Sequence, residues 1–183
     1  VADGDYGLQV IKTANPTNPT FVGALDAIHQ ATGIAVSGDY AYEVVYGSGF
    51  KVINIVDPRN PVYAGSYNEL SEVNGVVVSG DLAYVTVEGS GLQVIDVSDP
   101  TNPSLVGNYN TPNSAHGVTV SGDHAFVVEG YNGIEVINIS DPINPTLLWY
   151  YDTLGIASGA AVSGDYVYIA EGNAGLRVID FSE

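Results

Sequence analysis

The chain of 183 residues contains no cysteine and no methionine. Without cysteine there is no disulfide framework, no thiolate metal site and no cysteine nucleophile. This composition is compatible with an extracellular or cell-surface protein, which is the location we expect. Without methionine the chain does not begin at its own start codon, so we expect a processed form or an excised fragment.

Basic residues are scarce. Four Lys and Arg face 21 Asp and Glu, for a formal net charge of −17. Nucleic-acid binding needs a basic face that replaces counterions, and four scattered cations do not supply one. We therefore expect no nucleic-acid partner and no attraction to anionic membranes. An acidic surface suits cations, basic partners or simple solubility.

Long apolar runs are also missing. No stretch approaches the roughly 20 residues that cross a bilayer, so we expect no transmembrane segment. The first residues, VADGDYG, lack the charged and apolar regions of a signal peptide. Hydrophobic residues nevertheless make up 45% of the chain. This content is too high for a disordered acidic tail and is sufficient for a sizeable core.

What the chain does contain is a repeated phrase. Residues 91–103 read GLQVIDVSDPTNP, and close copies begin at every forty-second residue. A second marker, SGD, recurs with the same spacing, again without insertion or deletion. The copies of the first phrase begin at Gly7, Gly49, Gly91, Gly133 and Gly175, and the SGD turns begin at Ser37, Ser79, Ser121 and Ser163.

Each repeat contains four strand-like stretches and no helical one. In the unit that starts at Asn74 these stretches read GVVVS, LAYVTVE, LQVIDV and SLVGNYN. Gly-containing turns and an Asp-Pro pair separate them, as expected for hairpins. Four antiparallel strands in about 40–45 residues are typical of a β-propeller blade. The alternative, a β-helix, has shorter coils without regular hairpins. We predict an all-β, propeller-type array.

The predicted array is a single repeat domain covering 1–183. Its seventeen predicted strands are one more than a closed four-bladed ring needs. The segment FVGALD (21–26) could complete the last blade, which would leave GLQVI (7–11) as a surplus strand. Otherwise the array is part of a larger propeller, or it is open and its free edges pair with another molecule. The predicted units are a partial blade 1–29, blades 30–71, 72–113 and 114–155, and a partial blade 156–183.

The repeat resembles a known family. The unit G-[LFI]-x-V-I-[DN]-[VI]-x-D-P-x-N-P, preceded by V-S-G-D-x-A-[YF], is similar to the LVIVD repeat, and LQVID at 92–96 stands at the signature position. The resemblance covers essentially the whole chain. It implies a β-propeller found mostly on bacterial and archaeal surfaces or secreted. It implies no reaction, because no catalytic residue set is known to be shared.

Positions that vary while the scaffold repeats are the best candidates for recognition. One set directly precedes the first strand of each unit, and two tyrosines lie in the turns between the second and third strands. In a propeller these positions share one face, whereas the SGD and DPxNP turns lie on the opposite face. We predict that the variable face binds a protein or glycan, the alternative being solvated loops without a ligand. The candidates are Thr32, Asn74, His116, Ser158, Tyr46 and Tyr131.

Acidic residues lie in the same turns. Carboxylates with backbone carbonyls suit calcium, although the D-x-D-x-D-G spacing is absent. We expect that no cofactor is required and that calcium binding is a secondary possibility. Its candidate ligands are Asp3, Asp5, Glu88, Glu129 and Glu171.

Catalytic signatures are absent from the sequence. There is no G-x-S-x-G elbow, no Walker loop and no dinucleotide fingerprint. We therefore predict a non-catalytic binding or scaffold module. One alternative is a structural subunit of a surface layer or filament that self-assembles through open blade edges. A less favoured alternative is a hydrolase with a channel-mouth site near His116.

A single tryptophan interrupts the repeat. Trp149 stands where the other units have Gly23, Gly65 and Gly107. Its surroundings, LLWYYD, form the most aromatic stretch of the chain. Two explanations are open: an exposed contact patch, or packing beneath the neighbouring connection.

Overall fold

The computed structural model describes residues 1–4, 6–26 and 30–182, and this part of the chain is all-β. Seventeen strands form five antiparallel sheets, and the only helical element among them is a 3-10 turn, Gly172–Ala174. Among these described residues no helix has the length and hydropathy of a membrane span. The N-terminal sheet contains β1 (Leu8–Lys12) and β2 (Thr20–Leu25).

Three complete blades of four strands follow, each with its strands paired in chain order. The C-terminal sheet has three strands. The first blade consists of β3 (Ala31–Ser37), β4 (Tyr40–Val45), β5 (Gly49–Asn54) and β6 (Val62–Tyr67); the second of β7 (Val73–Ser79), β8 (Leu82–Val87), β9 (Gly91–Asp96) and β10 (Ser104–Tyr109); the third of β11 (Gly117–Ser121), β12 (His124–Val128), β13 (Ile134–Asn138) and β14 (Thr146–Tyr151); the C-terminal sheet of β15 (Gly159–Ser163), β16 (Tyr166–Ala170) and β17 (Leu176–Asp180).

Hydrophobic faces hold neighbouring sheets together. On the second blade Leu92 and Val94 are fully buried, and they pack against Ala125, Val127 and Ile137 of the third blade. Burying one such side chain contributes about 2 kcal/mol. The first strands β3, β7, β11 and β15 lie beside one another. This arrangement of repeated four-stranded sheets is the propeller-like array that the sequence predicts.

Outer strands pack closely against the next blade. An ideal Cβ on Gly65 would lie 2.4 Å from the Pro100 carbonyl oxygen, and one on Gly107 would lie 2.1 Å from that of Pro142. The glycines therefore allow the Asp-Pro turn of the following blade to approach. Trp149, at the equivalent position of β14, is 42% exposed. The side chain is exposed and is not packed beneath a neighbouring connection, and a contact role for this stretch stays a prediction.

Within the part of the chain that the structure describes, no hydrogen bonds close the ring. β2 pairs with β1 in the N-terminal sheet, so of the alternatives that the sequence leaves open the structure does not show the one in which residues 21–26 complete the last blade. The reason is local: the β1–β2 hairpin pairs over five positions and packs its buried face on the first blade. At the other end, Leu176 is 69% exposed although its repeat equivalent, Leu92, is fully buried. Among the described residues, hydrogen bonds thus leave the array unclosed, and one apolar face of the C-terminal sheet is exposed.

Candidate functional site

One rim of the array combines the variable segments, and we call it the variable rim. In each of the three complete blades, a backbone hydrogen bond ties the turn between the second and third strands to a connection that leads into a first strand. The Gly47 amide donates to the Ser71 carbonyl at 2.8 Å, and the Ala157 amide donates to the Gly130 carbonyl at 2.8 Å. The variable rim comprises residues 30–32, 71–74, 113–116 and 155–158, together with the turns 46–48, 88–90, 129–132 and 171–174.

Two of the predicted recognition residues join neighbouring blades. Thr32 Oγ1 donates to the Val73 carbonyl at 2.9 Å, and Asn74 Nδ2 donates to the Ala115 carbonyl at 2.9 Å. Each bond spans 41 residues of sequence and crosses from one blade to the next. Their polarity therefore has a structural role that the repeat alignment did not reveal.

The other four predicted residues are not all gathered at one place. Ser158 Oγ donates to the Ala170 carbonyl at 3.3 Å within its own sheet, and Tyr46 lies on the first blade. His116 and Tyr131 are both exposed and line the same cleft. The His116 ring lies directly over Gly130, where an added Cβ would be 3.1 Å from Nε2. Only this pair forms part of a common site.

The cleft lies between the second and third blades and has a volume of about 480 Å³. Hydrogen bonds stabilise the segment that connects the second and third blades along this cleft. Thr111 Oγ1 donates to the Asn113 carbonyl at 2.6 Å, and Asn113 Nδ2 donates to Glu129 Oε2 at 3.2 Å. The lining is therefore polar, and these bonds fix it to the third blade. It consists of Gly89, Thr111, Pro112, Asn113, Ser114, His116, Glu129, Tyr131 and Asn132.

A buried carboxylate lies in this cleft. Glu129 is 2% exposed, and within the described chain its Oε1 has no hydrogen-bond partner. Glu135 on β13 is also buried, with Oε2 unpartnered among the described residues. Burial first, and then the charge of Glu129, raise the pKa of Glu135 to about 7. The third blade therefore holds two neighbouring buried acids whose charge is not compensated.

The C-terminal sheet shows the same positions with a cation present. Glu171 and Arg177 are the repeat equivalents of Glu129 and Glu135, 42 residues further on. Arg177 donates from Nε to Glu171 Oε1 at 3.0 Å and from Nη2 to Oε2 at 3.2 Å. This two-bond contact compensates the buried carboxylate of Glu171, and it raises the pKa of Arg177 further.

Sequence analysis missed Glu135 and a fourth buried acid, Glu43. Both oxygens of Glu43 are buried and unpartnered in the described residues, and burial raises its pKa. Glu43 shares β4 with Ala41, a residue of the core cluster that covers the N-terminal sheet. The available signal for Glu135 is the variation of charge at one strand position, which carries Gln9, Lys51, Gln93, Glu135 and Arg177.

The calcium candidates that the structure describes, Asp3, Glu88, Glu129 and Glu171, do not form one metal-binding group. Among the described residues, no three His, Asp or Glu side chains are grouped as a metal site requires. Glu171 is engaged by Arg177, whereas Asp3 and Glu88 are exposed on different sheets. Asp5 lies outside the described residues. The structure thus offers the calcium prediction no assembled site.

Nothing resembling a hydrolase triad surrounds His116 in the described part of the chain. The His116 backbone amide donates to the Val128 carbonyl at 2.8 Å. Among the described residues no hydrogen bond joins the His116 imidazole to a serine or an acid. The nearby Ser114 hydroxyl instead donates weakly to Glu88 Oε1 at 3.4 Å. A catalytic role stays an untested alternative.

Solved structures share this fold at low identity. The computationally designed Ika8 protein aligns with a TM-score of 0.72 and 11% identity over 88% of this chain and 49% of its own. The designed Ika4 protein aligns with a TM-score of 0.70 and 11% identity over 88% and 98%. A functionally unknown protein from Desulfotomaculum acetoxidans DSM 771 aligns with a TM-score of 0.76 and 18% identity over 91% and 56%. The chain thus spans about half the length of the first and third of these proteins.

Sequence comparison leads to a family. No curated protein matches the chain. The model of the LVIVD repeat matches five times, over residues 1–27, 29–69, 72–111, 112–153 and 154–183. Together with the stacked four-stranded sheets, these matches show that the chain belongs to the LVIVD repeat family.

Proposed function

We propose that this protein is a non-catalytic extracellular binding or scaffold module that recognises a protein or glycan through the cleft between its second and third blades. One observation carries the proposal. Glu129 lines a polar cleft while its buried Oε1 lacks a hydrogen-bond partner among the described residues. A buried acceptor without a partner costs about 1–3 kcal/mol, so a ligand that donates to it gains that free energy.

The surroundings of Glu129 suit recognition. Tyr131 is 79% exposed at the cleft, and His116 lies exposed beside it. Tyrosine provides a large contact area with few rotatable bonds and is enriched at binding interfaces. The scaffold beneath is fixed by hydrogen bonds between blades, so the site requires little ordering when a partner binds.

Selection of ligands from a displayed peptide library and a glycan array tests this function. We expect that Tyr131→Ala weakens the selected ligands at least tenfold, because it removes the exposed aromatic contact of the cleft. Tyr166→Ala is the matched control, since Tyr166 is an exposed tyrosine beside an SGD turn on the opposite rim. It should change affinity less than twofold. Equal effects of the two variants, or no ligand from either library, would argue against the proposal.

A second function, that of a self-assembling structural subunit, is favoured by the uncovered C-terminal sheet. Val178 is half exposed, whereas its repeat equivalent, Val94, is fully buried against the next blade. A second copy could cover this face as one blade covers the next inside the array. Light scattering after size-exclusion chromatography distinguishes the two functions. Multimers that Val178→Lys dissociates would favour assembly, and a monomer at all concentrations would favour the binding module.

A further inference from the structure

Resting on the proposed function, we infer that the cleft binds the guanidinium group of an arginine side chain presented by a protein partner. The guanidinium would donate to Glu129 Oε1, with Glu135 supplying a second negative charge close by. The proposed function specifies only a protein or glycan, whereas a guanidinium is one defined chemical group on a protein.

A comparison between repeats supplies the main argument. Glu129 and Glu171 begin the same type of turn: the Glu129 amide donates to the Gly133 carbonyl at 2.9 Å, and the Glu171 amide donates to the Gly175 carbonyl at 2.7 Å. In the C-terminal sheet a guanidinium satisfies the carboxylate of this turn. In the third blade the described residues supply no cation to the same carboxylate, because position 135 carries an acid where the C-terminal sheet has Arg177.

The second blade shows that the repeat positions of Glu129 and Glu135 do not require charged residues. It has Val87 where the third blade has Glu129, and Gln93 where the third blade has Glu135. Gln93 Nε2 donates to the Ser90 carbonyl at 2.8 Å, which satisfies the amide locally. A neutral pair therefore fits the blade, and the two acids of the third blade are not imposed by the repeat.

Electrostatics and geometry select a planar cation. Asn113 Nδ2 already donates to Glu129 Oε2, so Oε1 is the free acceptor. The described residues offer no group of three ligands that would hold a metal ion here. An arginine guanidinium donates several hydrogen bonds in a fixed plane and also stacks on aromatic rings, and exposed Tyr131 provides such a ring. The net charge of −17 attracts a basic partner toward the surface.

Binding of N-acetyl-arginine amide at pH 8, followed by NMR titration, tests the inference. We expect saturable binding that the neutral analogue N-acetyl-citrulline amide does not show. Glu129→Gln should weaken binding at least tenfold, because it removes the accepting charge without changing side-chain shape. Glu135→Arg should do the same by placing a guanidinium beside Glu129, as Arg177 does beside Glu171. The matched control is Glu72→Gln, which removes one exposed charge of the variable rim and should change affinity less than twofold.

The outcomes separate this inference from the proposed function. Equal binding of the citrulline analogue, equal loss in Glu72→Gln, or no saturable binding of the arginine analogue would overturn the inference. If library ligands still depend on Tyr131 in that case, the binding function stands and only the arginine assignment fails. Isosteric Glu129→Gln keeps the test valid even where Glu135→Arg does not fold. Tighter binding of N-acetyl-lysine amide than of N-acetyl-arginine amide would also contradict the guanidinium assignment.

Discussion

Replacement of Gly107 by alanine is expected to lower the free energy of unfolding by about 3 kcal/mol, the upper part of the usual range for overpacking. The added Cβ would lie 2.1 Å from the Pro142 carbonyl oxygen and 2.7 Å from that of Ile143. Both contacts are with backbone, which cannot rotate away. The blades must therefore separate locally, and the apolar contacts between them weaken.

Urea denaturation of Gly107→Ala and Gly159→Ala measures this effect. Gly159 is the control because it also lies in a strand, while an added Cβ there meets no atom within 4 Å. Alanine at position 159 should leave stability unchanged within about 1 kcal/mol. Similar losses in the two variants would contradict the close packing of outer strands on the next Asp-Pro turn.

Replacement of Glu135 by glutamine is expected to stabilise the protein at pH 8 by up to about 3 kcal/mol. Burial and the charge of Glu129 raise the pKa of this carboxyl from its ordinary value of 4.5 to about 7 in the folded state. Its contribution to stability is therefore fully present below about 4.5 and is lost as the pH rises through about 7. Glutamine cannot ionise, so the variant should gain most above pH 7 and little near pH 4.5.

Several titratable groups surround Glu135 and belong in this experiment. Glu129 and Tyr150 lie on the same sheet, and Tyr109 comes from the facing blade. In urea denaturation from pH 4.5 to 8.5, the stability gain of Glu135→Gln over the parent should grow up to about pH 7 and stay constant above it. Glu72→Gln corrects for the change of one unit in net charge.

Glu171→Gln should instead destabilise the protein, because it leaves Arg177 without its carboxylate.

The repeat predicted most of the fold. A constant 42-residue period with a glycine or Asp-Pro turn after each apolar stretch is sufficient to place four strands per blade. The ends were harder, because whether residues 21–26 pair with residues 8–12 or with the last blade depends on competing strand partners. In the structure β2 pairs with β1 as a local hairpin, because closing this short loop costs less entropy than pairing with the last blade.

The candidate site was only partly predictable. Variation between repeats drew attention to His116 and Tyr131 as recognition residues and to Glu129 as a calcium ligand, and all three line one cleft. The same reasoning could not separate them from Thr32 and Asn74, because the bonds these two make to the next blade depend on the stacking geometry. Glu135 was missed because it lies within a strand, and its orientation towards the preceding blade appears only in three dimensions.

A crystal structure of the protein with N-acetyl-arginine amide at pH 8 tests the central claim most directly. The account predicts a guanidinium nitrogen within hydrogen-bonding distance of Glu129 Oε1, the oxygen that Asn113 leaves free. Glu129 Oε1 bonded to a neighbouring protein group, or the ligand bound away from the cleft, would contradict it.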